Sequence, residues 1–430
     1  MKLRIRKSSM FAVIVFGLIA CVLYGFGAGL RSDVGILLPA LASHTGLAYQ
    51  EVSFCIAVMN LVFGATQPAF GIIAARRSNR EVLLLGALLL GVSLIGMMLT
   101  HSFAGLFIFL GLVFGTGAGA LAFGLILASS IRFVGPERAM LISGMLNAAA
   151  GMGSFVLSPT LQTLLDSGGI DLTLSSLLVP VVLLVPIAFV VTSADPKPAK
   201  EKKHKAQARS RSIATGTATG TAQESEAHPQ GLRLFKQAFC DKTFLLLVIG
   251  FSTCGFHMVT IESHLFSQYL SYGIEATEAS WAFSLYGIAT IFGALLSGWL
   301  STRVPKGGLL AFYYGFRACW VLVFIFLMPK TLLSAVIFST GLGLTGDATV
   351  SPTAGIVNAR YALAQAATLI GVLFFFHQIG AFFSAWLGGI LLDATGTYVA
   401  LWLIDAILCT IAAFASARIK TNPALQGDAQ

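Results

Sequence analysis

Charge is what this sequence has least of. Only 10% of its 430 residues are Asp, Glu, Lys or Arg, against about 25% in a typical soluble domain. That scarcity excludes the string of water-soluble domains that length alone suggests. Paired cysteines are missing too. Cys21, Cys55, Cys240, Cys254, Cys319 and Cys409 are scattered with no CxxC spacing, which excludes a disulfide scaffold or zinc finger and leaves small buried hydrophobes. No Gly-Lys-Ser/Thr closes the glycine runs Gly115-Thr-Gly-Ala-Gly119 and Gly341-Leu-Gly343, so close helix packing is expected there rather than phosphate binding. Neither a catalytic constellation nor a soluble signalling domain is visible. The expectation is no enzyme, no cofactor and no metal.

What is abundant is apolar: 56% of the chain is hydrophobic, with 33 Phe, and 45 Gly come on top of that. A bilayer core about 30 Å thick takes roughly 20 apolar helical residues to cross. By that ruler there are twelve spans. Those of the first half cover 10–41, 51–75, 81–100, 104–131, 139–165 and 170–192. Those of the second half cover 243–270, 278–302, 308–328, 332–359, 362–391 and 398–417. The basic start, Lys2 to Lys7, imitates a secretory leader, but the apolar run from Met10 to Leu30 is too long for one and more spans follow. An uncleaved first helix is the expectation.

The fold class expected is an all-α membrane protein with an N-terminal six-helix bundle at 1–192, a linker at 193–240 and a C-terminal bundle at 241–430. The linker is basic from Lys197 to Arg211 and then Thr/Gly/Ala-rich, a composition that cannot bury apolar surface. Its end, Leu232 to Phe239, suits a short helix lying on the membrane. All but three of the 27 basic residues fall on one side, the exceptions being Arg31, Arg317 and Lys330. The positive-inside rule then places both termini in the cytoplasm and makes the net charge of +9 a topology signal rather than a nucleic-acid footprint.

An internal repeat supports the division. A shift of 227 residues lays Gly46 on Gly273, Glu51 on Glu278, Gly71 on Gly298, Arg76 on Arg303 and Asp166 on Asp393. Two six-helix units that both start inside run parallel, the arrangement of transporters that rock two bundles about a midplane site.

This layout resembles the major facilitator superfamily. That family's loop signature is partly matched by Gly71, Arg76 and Arg80, with Ala75 standing where the signature has aspartate; Gly298 and Arg303 repeat it in the second half. Within the family, Tyr24-Gly25 through Arg31-Ser32-Asp33-Val34-Gly35, Thr349 to Thr353 and His377-Gln378 to Tyr398 resemble the monocarboxylate-transporter branch and its bacterial, oxalate–formate antiporter-like members. The resemblance implies a secondary active transporter and a monocarboxylate cargo.

Ionisable groups inside spans are costly and usually face the bundle interior. Arg31, far along the first span, can grip a carboxylate with two parallel hydrogen bonds, or pair with Asp33, or snorkel. The seventh span, the repeat partner of the first, carries His257, Glu262 and His264. At the regular period the two histidines, seven apart, share one face and are candidates for substrate contact. Glu262 is the candidate proton carrier, the alternative being a polar cluster at the outer end. Asp347 and Arg317 lie at similar depth on neighbouring spans; an ion pair is expected, with proton coupling through Asp347 the alternative. His377, Gln378 and Asn147, with Asn60 and Gln67, could line the cavity or act as interhelical glue. Asp405 reads as structural.

The resulting expectation is a multi-pass protein of the bacterial inner (plasma) membrane, monomeric, moving a small organic anion coupled to protons. The alternative is a proton-driven exporter of an amphiphilic drug or metabolite. The partners are the anion, protons and the lipid bilayer.

Overall fold

The computed structural model describes residues 10–195 and 232–419. Among them all regular structure is helical. The first span is Met10–Ser32 continued by Val34–Thr45. Tyr49–Arg76, Asn79–Leu99 and Phe103–Val134 follow. The fifth and sixth spans are one helix, Ala139–Val191, broken where Gly168 and Gly169 leave helical geometry. The second half runs Lys242–Ser271, Ala276–Leu300, Lys306–Phe326, Leu332–Arg360, Leu363–Thr395 and Val399–Ala417. Large apolar side chains such as Phe11, Leu99, Phe292 and Phe414 are more than half exposed, the inverse of a soluble surface and the pattern of a lipid-facing one.

The repeat extends to turn geometry. Gly46 and Gly273 adopt left-handed φ of 71° and 76°, and Gly169 and Gly396 adopt 67° and 68°. Both pairs obey the shift that aligns the sequence. Helix starts obey it as well: Tyr49 opens the second span and Ala276 the eighth.

Four helices depart from regularity. The first breaks at Asp33. The tenth breaks after Thr345, through Gly346 and a single 3-10 turn at Asp347–Thr349; Pro352 lies one turn on and cannot donate to the Ala348 carbonyl, which Ser297 Oγ bonds instead. The fourth and seventh widen into π-helix at Phe107–Phe114 and Ile261–Leu265. Most of the expected linker lies outside the described residues, but its last part forms the helix Leu232–Cys240. Leu234 and Ala238, one turn apart, are buried there while Arg233 and Lys236 are exposed.

The two halves meet along two seams. In one, the second and eleventh spans run antiparallel. The Gln50 N–H donates to Asp393, the ring of Phe54 meets those of Phe382 and Trp386, and Gly64 abuts the Gln378 side chain. Seven residues beyond Gly64 and seven before Gln378, on the same helix faces, a β-carbon on Gly71 or Gly371 would meet nothing within 4 Å. The fifth and eighth spans behave alike. Thr277 donates to Asp166, Phe155 meets Trp281, and Gly151 and Gly287 touch backbone to backbone. A β-carbon on Gly144 would again meet nothing, and one on Gly298 would reach only Ser351 of its own half. Both seams are therefore closed at the end opposite the chain termini, called the far end below, and part toward the terminal end.

Candidate functional site

Where the seams part, Arg31 bridges the halves. Its Nη1 and Nη2 donate to Glu262 Oε2 and Oε1 at 3.0 and 3.2 Å, and Nη1 also donates to Asn60 Oδ1 at 2.8 Å. The guanidinium lies 5.0 Å from the centre of the Phe63 ring. Arg31 keeps 17% of its side chain exposed and Glu262 only 7%. This is a bidentate, partly desolvated pair, a strong and geometrically specific class of ion pair. It joins the first span to the seventh, the two repeat partners, and carries charge where charge is otherwise excluded.

Helix packing fixes the pair. A β-carbon on Gly35 would lie 2.2 Å from the Glu262 carbonyl oxygen, so the broken end of the first span rests on the main chain of the seventh. Glu262 itself sits in the π-helical turn, a local widening frequent at functional sites. Asp33 is not the partner of Arg31. It is wholly buried and accepts from Ser154 and Ser158 on the fifth span.

Asp347 and His377 lie within electrostatic range of both Arg31 and Glu262 and are partly exposed. His377 packs on Phe251, ring centres 5.2 Å apart. Asn147, one turn from Gly151, is exposed where the seam has opened, and its amide donates to the Ser143 carbonyl. Gln378 is buried in the other seam, with its Oε1 unbonded.

Three expected arrangements do not occur. The ion pair between Arg317 and Asp347 does not form. The break in the tenth span frees carbonyls at a helix C-terminus, the negative end of its dipole, and Arg317 donates to those of Thr345 and Gly346 instead, the latter at 2.6 Å. Nor do His257 and His264 share a face, because the π turn between them adds a residue to the local period. His257 points to the twelfth span, where its Nδ1 is 2.7 Å from Asp405 Oδ2. His264 points to the far-end seam. There Tyr398 OH donates to Tyr49 OH, Tyr49 donates to His264 Nδ1 at 3.0 Å, and His264 Nε2 meets the Ala385 carbonyl. Neither histidine belongs to the Arg31 cluster. His257, Asp405 and Cys409 hold donor atoms within 4.8 Å of one another, but the hydrogen bond already spans the histidine–carboxylate edge and all three are fully buried.

The loop-motif residues lie at the terminal end. Arg80 donates to Thr192 and covers the Phe189 ring, Arg303 covers Trp299, and Arg76 is exposed. Two carboxylates flank the linker. Asp195 pairs with Arg132, and Asp241 with Arg360. Partial burial works against the Asp241 carboxylate, but hydrogen bonds from Arg360, Tyr361 and the Thr243 N–H outweigh it and hold its pKa below the ordinary value. An open cleft of about 540 Å³ beside it is lined by Gln237, Lys242 and Tyr361 among others, away from the Arg31 cluster.

Asn60 and Phe63 are the residues the sequence signals least. An amide in an apolar run is a candidate cavity liner, but nothing in the sequence names Arg31 as its partner.

Comparison with known proteins agrees with this architecture. An uncharacterized MFS-type transporter, YcxA, of Bacillus subtilis is 25% identical over 42% of this chain and 44% of its own length, so the match spans under half of that relative. Monocarboxylate transporter 11 of Homo sapiens is 23% identical over 92% of this chain and 80% of its own. The crystal structure of a D-xylose-proton symporter superposes with a TM-score of 0.70 over 96% of this chain and 98% of its own, at 12% identity, a likeness of fold. The family model described as Major Facilitator Superfamily matches residues 15–345 and 265–429. With two six-helix halves meeting at a charged centre, the chain belongs to the major facilitator superfamily, a multi-pass transporter and not an enzyme.

Proposed function

We propose that this transporter moves a small monocarboxylate coupled to protons, by alternating access. The observation that carries the reading is the bidentate Arg31–Glu262 pair across the halves. Glu262 occupies the position that a cargo carboxylate would take on Arg31. A proton on Glu262 discharges it and frees the guanidinium, which Asn60 and Phe63 continue to hold. The cargo carboxylate then accepts the same two hydrogen bonds. Asp347, half-buried and partly exposed beside the pair, exchanges the proton with cavity water. His377 and Asn147 contact the remainder of the cargo. The similarity to monocarboxylate transporter 11 supports the cargo class.

The basic residues concentrated at the terminal end support a cytoplasmic location for both termini and a site in the bacterial inner membrane. This conformation is then the inward-open one. One chain contributes both sides of the site, so we propose the monomer as the transporting unit.

A thermal-shift screen of detergent-purified protein against mono-, di- and tricarboxylates and amphiphilic drugs tests the reading. A ligand at 100 times its Kd stabilises the native state by about 2.7 kcal/mol. Stabilisation by a monocarboxylate that is absent in Arg31→Gln is expected. A response only to amphiphilic drugs would overturn it in favour of an exporter.

A further inference from the structure

Asp33 takes no part in the mechanism above, yet its carboxyl group lies in the centre of the protein with neutral hydroxyls as its hydrogen-bond partners. It is wholly buried at the break in the first span. Its carboxylate accepts from Ser154 Oγ and, at 2.9 Å, from Ser158 Oγ. Both donors are neutral, and among the described residues Asp33 makes no ion pair. The charged groups within reach are Arg31 on its own span and Glu262 on the seventh; the fifth span offers only the two hydroxyls. Arg31 and Glu262 already cancel each other. An ionised Asp33 would leave one uncompensated negative charge at membrane depth, a costly arrangement. A protonated Asp33 has no such cost, and one of its oxygens still accepts from a serine.

The surroundings of Asp33 are also the contacts that close the far end. Ser154 lies against Gly287 of the eighth span, its Cβ 3.2 Å from where a β-carbon on Gly287 would stand. Gly35, two residues on, rests on the main chain of Glu262 and Ser263. When the seams separate at the far end, these two covers leave together and water reaches the carboxylate. Burial of Asp33 and closure of the far end are therefore one event.

We propose that Asp33 is a second proton-binding site, which must take up a proton from far-side water before the far end can close over it. The proposal rests on the alternating-access part of the function proposed above and not on the identity of the cargo.

Two measurements on the full-length protein in nanodiscs, with no cargo present, test it. In the first, paired spin labels at Ala48 and Thr397 report the far-end separation as pH is varied. The closed population is expected to fall as pH rises, and in Asp33→Asn, which keeps the shape and cannot ionise, that fall is expected to disappear. Glu275→Gln, at an exposed far-end carboxylate outside the Arg31 cluster, is the control and is expected to retain the pH dependence. Replacing Ser154 and Ser158 by alanine removes the donors that stabilise the ionised form, and is expected to move the transition to higher pH even if Asp33→Asn folds poorly. In the second, infrared difference spectra are expected to show the carbonyl stretch of a protonated carboxylic acid in the closed state, lost in Asp33→Asn. An unchanged pH response in Asp33→Asn, or no such band assignable to Asp33, would overturn the proposal. Failure of every carboxylate to bind would refute the cargo and leave this result standing.

Discussion

Breaking the bond between the halves at Arg31 has a calculable effect on their closure. Glu262→Gln removes one member of a bidentate pair and leaves the guanidinium uncompensated. For a fully buried pair the loss is about 3–5 kcal/mol. Here Arg31 keeps 17% of its side chain exposed and retains Asn60 and Phe63, which places the loss at about 2–3 kcal/mol, at or below the low end of that range. At about 1.4 kcal/mol per tenfold, the equilibrium between the far-end-closed and far-end-open states moves roughly 100-fold toward open. Arg31→Gln strands Glu262 instead and is expected to act in the same direction. The double variant strands neither group and is expected to return most of the way. Spin labels at Ala48 and Thr397, in a background with the exposed Cys240 and Cys319 replaced by serine, read the separation in all four proteins. A double variant as open as the sum of the singles would show that the pair contributes no coupling and refute the reasoning.

Three further outcomes follow from the geometry. Gly35→Ala places a β-carbon 2.2 Å from the Glu262 carbonyl oxygen, so the far end is expected to open in the same label experiment while the folded yield is kept. Arg317→Leu leaves the Thr345 and Gly346 carbonyls without their donor, at about 1–3 kcal/mol for each; a clear fall in the detergent unfolding midpoint is expected. Asp241 is held below its ordinary pKa, with burial opposing and the bonds from Arg360, Tyr361 and Thr243 prevailing. Its contribution is thus present above the unfolded-state pKa and lost as pH falls through the folded one. Asp241→Asn is expected to lower stability near neutrality by about 1 kcal/mol or less, since Arg360 is half exposed. The difference from wild type is expected to vanish in acid, as read by unfolding midpoints across pH.

The spans, their repeat and the two central charges were legible in the sequence because each rests on composition or on spacing over many residues. Arg31 and Glu262 stand out as ions inside apolar runs, and the shift that lays Gly46 on Gly273 makes their spans equivalent. Which way a side chain points was legible only where the helix is regular. The π turn at Ile261–Leu265 separates His257 from His264 by rotation, so one reaches Asp405 and the other Tyr49. Partners made of main chain were not legible at all. Arg317 binds carbonyls that exist as acceptors only because the tenth span breaks after Thr345. Ser154 and Ser158 read as ordinary small residues of a packed helix until the break at Asp33 turns a carboxylate toward them.

The central claim is that a cargo carboxylate replaces Glu262 on Arg31 as Glu262 takes a proton. Proton uptake on binding tests it most directly: a carboxylate found by the thermal screen is titrated into purified protein in weakly buffered solution containing a pH indicator. The account expects alkalinisation on binding by the wild type, binding without that proton uptake in Glu262→Gln, and no binding in Arg31→Gln. Binding by the wild type with no proton taken up, or undiminished binding by Arg31→Gln, would contradict it.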